Sequence, residues 1–258
     1  MARERFSIPL LPLLFLLLLH VLPPSTISAG PLPSVPPPSV PGAETLLRTE
    51  TLVYSERADT SEIERLLAGA RREFQSISEK PLRAYWDARA ILLLGSHLNQ
   101  QGDNRGAARV LPEGLECIEE ALKPGEFSDG LRILADLHAQ MTLARGAFHM
   151  MRHGRTARDA AARARQLDPE NVRALITVAG FYLNAPSMFG GDTRTGIARL
   201  EQALEMKPQD RNDLFMIKGW LAEAYHSLGE TERAHAYARD ALAIYPGSRW
   251  LRTVTDQF

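Results

Sequence analysis

Cysteine is nearly absent: Cys117 is the single one in 258 residues. One thiol cannot form an intrachain disulfide, and a cysteine-based zinc cluster is excluded as well. Strand signals are also scarce. There is no sustained polar–apolar alternation and no β-branched cluster bounded by Asn-Gly turns. Charge of one sign is not in excess, since 30 Lys and Arg face 31 Asp and Glu for a net charge of -1. No basic run builds a phosphate-tracking stripe, so no nucleic-acid partner is expected. Catalytic signatures are missing too: there is no G-x-S-x-G elbow, no H-E-x-x-H and no phosphate-cradling glycine loop. No cofactor is expected. What remains is a globular composition, 45% apolar and 24% charged.

The first thirty residues stand apart. Arg3, Glu4 and Arg5 precede IPLLPLLFLLLLHVL, residues 8–22, and a small-residue stretch ends in ISA at 27–29. This is the charged, apolar, small-residue order of a secretory leader. Fifteen residues are short for a bilayer span of about 20 helical residues. Residues 1–29 are read as a signal peptide, with membrane attachment only if it is retained, and the protein as extracytoplasmic, periplasmic or secreted. PLPSVPPPSVP, residues 31–41, follows. Consecutive prolines favour an extended polyproline II spacer, so 30–43 is read as a stiff linker. The folded domain is placed at 44–258.

From Glu44 onward nearly every segment has helical periodicity. Prolines 81, 124, 169, 208 and 246 recur at separations of 43, 45, 39 and 38 residues, each expected to close a helical stretch. Two helices per unit at a repeating spacing is the signature of a solenoid. The last unit is KGWLAEAYHSLGETERAHAYARDALAIYP, residues 218–246. Leu221, Ala222 and Tyr225 take the apolar and small positions of a first helix, Gly229 the turn, and Ala234, Ala238 and Ala241 the small face of a second helix. Antiparallel helices approach closely only where side chains are small. The offsets return as Gly196, Leu200, Ala203 and Pro208, and again as Ala157, Ala161, Ala164 and Pro169, with Phe148 in the place of Tyr225. This pattern resembles a tetratricopeptide repeat, strongly over 138–246 and more faintly upstream. The fold class expected is all-α, a right-handed α-solenoid of helical hairpins. A helix over 62–77 capped by Asp59 or Thr60 is expected to begin the array, with 45–55 and 250–258 covering its ends.

NAPSMFGGDTRTGI, residues 184–197, interrupts one hairpin. Pro186 disfavours helix at Ala185, Gly190 and Gly191 can adopt positive φ, and Asp192 is placed to cap the next helix. Two readings stay open. In one, Met188 and Phe189 tuck over the groove between hairpins and the glycines only turn the chain. In the other, the loop borders a site. A glycine pair at a helix start could bind an anion, although Asp192 would occupy the same donors. Alternatively Phe181, Tyr182, Met188 and Phe189 line an apolar cleft. Trp220 and Tyr225 are expected to fill the wedge between neighbouring hairpins and are counted with the partner-binding residues. The APSMFGGD motif, with the repeat and the leader, resembles the T-component family of tripartite ATP-independent periplasmic transport systems. That resemblance implies an extracytoplasmic helical-repeat subunit associating with a periplasmic substrate-binding protein.

Two further clusters bear on chemistry. His149 and His153 in HMMRH share a helix face, but zinc needs one or two more ligands that the sequence does not place. They are read as surface histidines at a helix end, and no metal is assigned. Cys117 in GLECIEEAL is read as a small apolar core residue; a cleft uniting it with His138 or His149 would point to an enzyme instead. The function expected is a non-catalytic scaffold holding a protein or peptide partner in a groove, the alternative being a transport accessory subunit binding a small apolar ligand.

Overall fold

The computed structural model describes residues 40–255. The expected leader and most of the proline-rich spacer lie outside the described residues, as do 256–258. Among the described residues there are eleven α-helices and no strand. They are α1 (Ala43–Ser55), α2 (Thr60–Phe74), α3 (Lys80–Gln100), α4 (Asn104–Leu122), α5 (Ser128–Arg145), α6 (Ala147–Leu167), α7 (Val172–Asn184), α8 (Thr193–Glu205), α9 (Arg211–Ser227), α10 (Thr231–Ile244) and α11 (Arg249–Thr255).

Four antiparallel hairpins, α3–α4, α5–α6, α7–α8 and α9–α10, form the array. Each turns at a glycine of positive φ: Gly102, Gly146, Gly190 and Gly229. These glycines are 44, 44 and 39 residues apart. Four of the expected proline stops, 124, 169, 208 and 246, fall in the links between helices. Pro81 differs: it opens α3, where its missing N–H costs no hydrogen bond. The excess over a ~34-residue repeat lies mainly in helix length, with α3 and α6 at 21 residues each against 17 and 14 for α9 and α10.

The alanine seams explain how closely the hairpins nest. Ala234, Ala238 and Ala241 are fully buried, as are Ala164 and Ala203. Tyr225 is 2% exposed and packs in the same core as Leu200 and Leu221. Its hydroxyl donates to Glu201 at 2.6 Å. Phe148 does not occupy the equivalent position. It lies in the first turn of α6, 70% exposed, because the turn at Gly146 precedes it.

Helices α3, α5, α7 and α9 contact one another in succession and form an inner layer, with α4, α6, α8 and α10 outside. Helix α1 lies against that inner layer, touching α3 and α9. Its start is anchored by Val40 and Ala43, buried against α2 with Phe74. The far end of the chain comes back to meet it. Arg249 of α11 pairs with Glu56 at 2.5 Å and reaches Gln101 at 3.0 Å. Leu251, fully buried, packs in one cluster with Tyr54 and Phe215. A Cβ on Gly247 would sit 2.7 Å from the Ser55 carbonyl oxygen. The array therefore closes on itself, and its concave face becomes a cup.

Candidate functional site

Between α1 and the inner helices lies a cleft of about 860 Å³. Its floor is an ionic network strung across four helices. Arg132 of α5 donates to Asp129 from Nε at 2.8 Å and from Nη2 at 2.9 Å, and to Asp136 at 3.0 Å. Asp136 accepts from the Thr177 hydroxyl of α7 at 2.8 Å. Arg173, one turn earlier on α7, donates to Asp213 of α9 at 2.7 Å and to Glu50 of α1 at 2.9 Å. These bonds fix the spacing of α1, α5, α7 and α9 around the cavity.

Electrostatics follow from this geometry. Burial alone would raise the Asp129 carboxyl, but the Arg132 guanidinium outweighs it and holds Asp129 well below the usual carboxylate range. Asp136 is raised by burial, and its bonds to Arg132 and Thr177 offset this only in part. Glu50 has one oxygen on Arg173, while Oε2 is buried without a partner. A buried carboxylate oxygen left unmatched costs on the order of 1–3 kcal/mol, which the pairing of the other oxygen with Arg173 has to offset.

The walls and mouth are apolar. Leu92, Leu93, Ile176, Phe181, Met216 and Trp220 line the interior. The rim carries Met188 at 82% exposure, Met151 at 66%, Leu143 at 62% and Phe189 at 45%. Met188 and Phe189 are held there by the interrupted hairpin. Ser187–Phe189 form one 3-10 turn, closed by the Phe189 and Gly191 N–H groups donating to the Pro186 carbonyl at 2.8 and 3.1 Å. The Asp192 N–H then donates to the Tyr182 carbonyl at 2.8 Å. Only Gly190 of the pair has positive φ, at 92°. Gly191 is needed for a different reason: a Cβ there would come within 1.6 Å of the Ala185 carbonyl oxygen.

The expected site residues thus divide. Phe181, Met188, Phe189, Gly190 and Trp220 come together on the cleft. Tyr182 serves the loop through its carbonyl, and its side chain is not among the lining groups. Tyr225 is core, enclosed by Arg233 over one face at 4.2 Å and by Tyr237 at 5.7 Å, so it offers a partner almost no surface. Trp220 is half-buried, meeting Trp250 edge-on at 5.5 Å. Asp192 caps α8, accepting from the Arg194 N–H at 3.1 Å and the Thr195 hydroxyl at 2.5 Å. The donors for an anion there are spent. Met188 and Phe189 do not tuck into the groove; they border it. Sequence reasoning missed the floor, because Glu50, Arg132, Arg173 and Asp213 are far apart in the chain and each reads as a solvated helix charge.

Burial pushes the Cys117 thiol up to about 11, aided by Asp87 and Glu113. A thiol that stays protonated is a poor nucleophile. His138 packs with His149 and His153 instead.

No protein-family model and no curated protein matches this chain. Solved structures do. A thermophilic tetratricopeptide-repeat protein of Thermus thermophilus is similar over 81% of this chain and 95% of its own, with 20% identity and a TM-score of 0.57. The HusA haemophore of Porphyromonas gingivalis is similar over 64% of this chain and 79% of its own, with 19% identity and a TM-score of 0.51. At such identities the likeness speaks to fold, and the fold it shows is an all-α solenoid of tetratricopeptide-like hairpins.

Proposed function

We propose that this protein is a non-catalytic binding module whose cup takes a short apolar segment of a partner protein. The observation that carries the reading is the rim of Met188, Met151, Leu143 and Phe189 around a preformed cleft. Exposed apolar patches of this kind mark interaction sites, and methionine adapts to varied partner shapes. The segment's side chains fill the apolar walls formed by Leu92, Leu93, Ile176, Phe181, Met216 and Trp220. The leader-like order of residues 1–29 supports an extracytoplasmic setting for this encounter. The test is a displayed peptide library panned on the full chain, with the enriched sequence titrated calorimetrically. Apolar segments should emerge, and Met188→Ser with Phe189→Ser should weaken binding at least ten-fold. Enrichment of highly charged segments, or affinity unchanged by the double substitution, would contradict the proposal.

A second reading is favoured by the cavity's size, which lies within the ~300–1,000 Å³ of small-molecule sites. The cup would then hold one small amphipathic molecule. The haemophore similarity suggests haem as the first probe. A saturable change in haem absorbance that is lost in Trp220→Ala supports this reading; its absence removes it. The T-component resemblance gains no support from either similar structure.

A further inference from the structure

The cup does not account for every apolar side chain at the surface. Of the six large apolar side chains exposed among the described residues, five sit around two hairpin turns: Leu143, Phe148 and Met151 near Gly146, and Met188 and Phe189 beside Gly190. The turns at Gly102 and Gly229 expose none. Four of the five line the cleft; Phe148 does not, and it is 70% exposed. A Cβ added to Gly146 would meet nothing within 4 Å, so this turn faces open space.

The charge around that turn is of one sign. No acidic residue occurs between Asp136 and Asp159, whereas Arg145, Arg152, Arg155 and Arg158 do, in a chain whose net charge is -1. All four arginines are exposed, the Arg155 side chain at 87% and Arg158 at 57%. Those two share one carboxylate, Asp159, at 3.6 and 3.7 Å. Arg145 donates to the Ala108 carbonyl at 3.2 Å, a bond that leaves its charge uncompensated. The neighbouring His149 turns the other way. It is 7% exposed and packs on His138, so it is not the surface histidine expected from the sequence. Phe148, Met151 and Arg152 are left as the outward side of the tip.

We propose that the tip of the second hairpin docks on an anionic lipid bilayer. Its apolar side chains enter the boundary between headgroups and acyl chains, about 5–10 Å deep. Its arginines meet lipid phosphates, which the guanidinium fork matches in shape and charge. A dissolved polyanion would satisfy the arginines and leave Phe148, Leu143 and Met151 in water; an anionic bilayer satisfies both sets. The contact uses no part of the leader-like residues 1–29, and it goes beyond the binding role of the cup. Leu143 and Met151 belong to both surfaces, so docking sets the mouth of the cup against the lipid.

The test is flotation of the full chain with vesicles of phosphatidylglycerol and phosphatidylcholine, compared with vesicles of phosphatidylcholine alone. Amide hydrogen exchange over residues 143–153 is read on the same samples. The mixed vesicles should bind at least ten-fold more tightly. Binding should weaken between about 0.1 M and about 1 M salt, as the screening length shrinks from about 10 Å to about 3 Å. Exchange over 143–153 should slow on the mixed vesicles and stay unchanged at the Gly102 turn. Phe148→Ser, and separately Arg152→Gln with Arg155→Gln, should each weaken binding at least ten-fold; all three positions are exposed, so the variants fold. Phe148→Ser should leave the affinity of the cup for an apolar segment unchanged, which separates the two proposals. If the leader alone holds the chain on both kinds of vesicle, exchange decides: slowing over 143–153 that Phe148→Ser abolishes upholds the docking tip, and no slowing overturns it. Binding to duplex DNA without binding to vesicles would assign the arginines to another polyanion and overturn it as well.

Discussion

At the residue scale, the cup's floor depends on a few charges that compensate one another. Asp129 receives two bonds from Arg132 and one from the Tyr85 hydroxyl at 2.5 Å. Its folded-state pKa is depressed, so its stabilising contribution is present above the ordinary carboxylate value of about 4 and is lost as pH falls through the folded value. Asp129→Asn should therefore destabilise the protein by roughly 3 kcal/mol at pH 7, with the gap to the native chain narrowing below pH 4. Urea titrations at pH 7 and pH 3.5 measure both. A gap that stays constant with pH would mean that Asp129 is not ionised in the fold. Tyr225 gives a separate expectation. Tyr225→Phe loses only the bond to Glu201, about 1 kcal/mol, whereas Tyr225→Ala removes a packed ring for about 3–5 kcal/mol. Neither should alter partner affinity in the folded protein, since the side chain does not line the cleft.

At the scale of elements, the hairpins are legible in the sequence and their inner faces are not. The alanine offsets at 234, 238 and 241 announce a close helix pair because small side chains are the physical condition for one. The glycine turns are legible only in part: Gly190 and Gly229 stand out, while Gly146 hides among residues that resemble a continuous helix. That concealment displaces Phe148 from its expected place and hides the meeting of His138 with His149. Met188 and Phe189 are visible from the local break in helical pattern, since a proline and paired glycines inside a helical hairpin force the chain out of the helix there. The loop is also where a substitution should act most locally. Gly191→Ala would drive a Cβ into the Ala185 carbonyl, so the turn must rearrange. The expected outcome is loss of cleft binding of ten-fold or more, with the melting temperature lowered by only a few degrees. Full retention of binding would show that the rim does not depend on this turn.

At the scale of the whole molecule, contacts between distant parts of the chain convert an array into a container. Repeats stacked only on their neighbours form an open surface. Here Glu50 pairs with Arg173 across 123 positions and Arg249 with Glu56 across 193. No local periodicity encodes such contacts, which is why the sequence points to a solenoid with covered ends and not to a cup. The Glu50–Arg173 pair is only 11% and 23% exposed, so removing one partner strands a charge. Arg173→Met alone should cost about 3–5 kcal/mol, and Glu50→Leu added to it should restore part of that loss. A double-mutant cycle by chemical denaturation gives the coupling; strict additivity would mean that α1 is not held by α7.

Closure itself is most directly tested by native-state amide hydrogen exchange on the intact protein. If the end of α1 meets residues 247–251 as described, the amides of α1 and α11 exchange as slowly as those of α9, and Arg249→Ala accelerates α1 and α11 together. Fast exchange of α1 beside a protected α9, unaffected by that substitution, would show an open array without a cup.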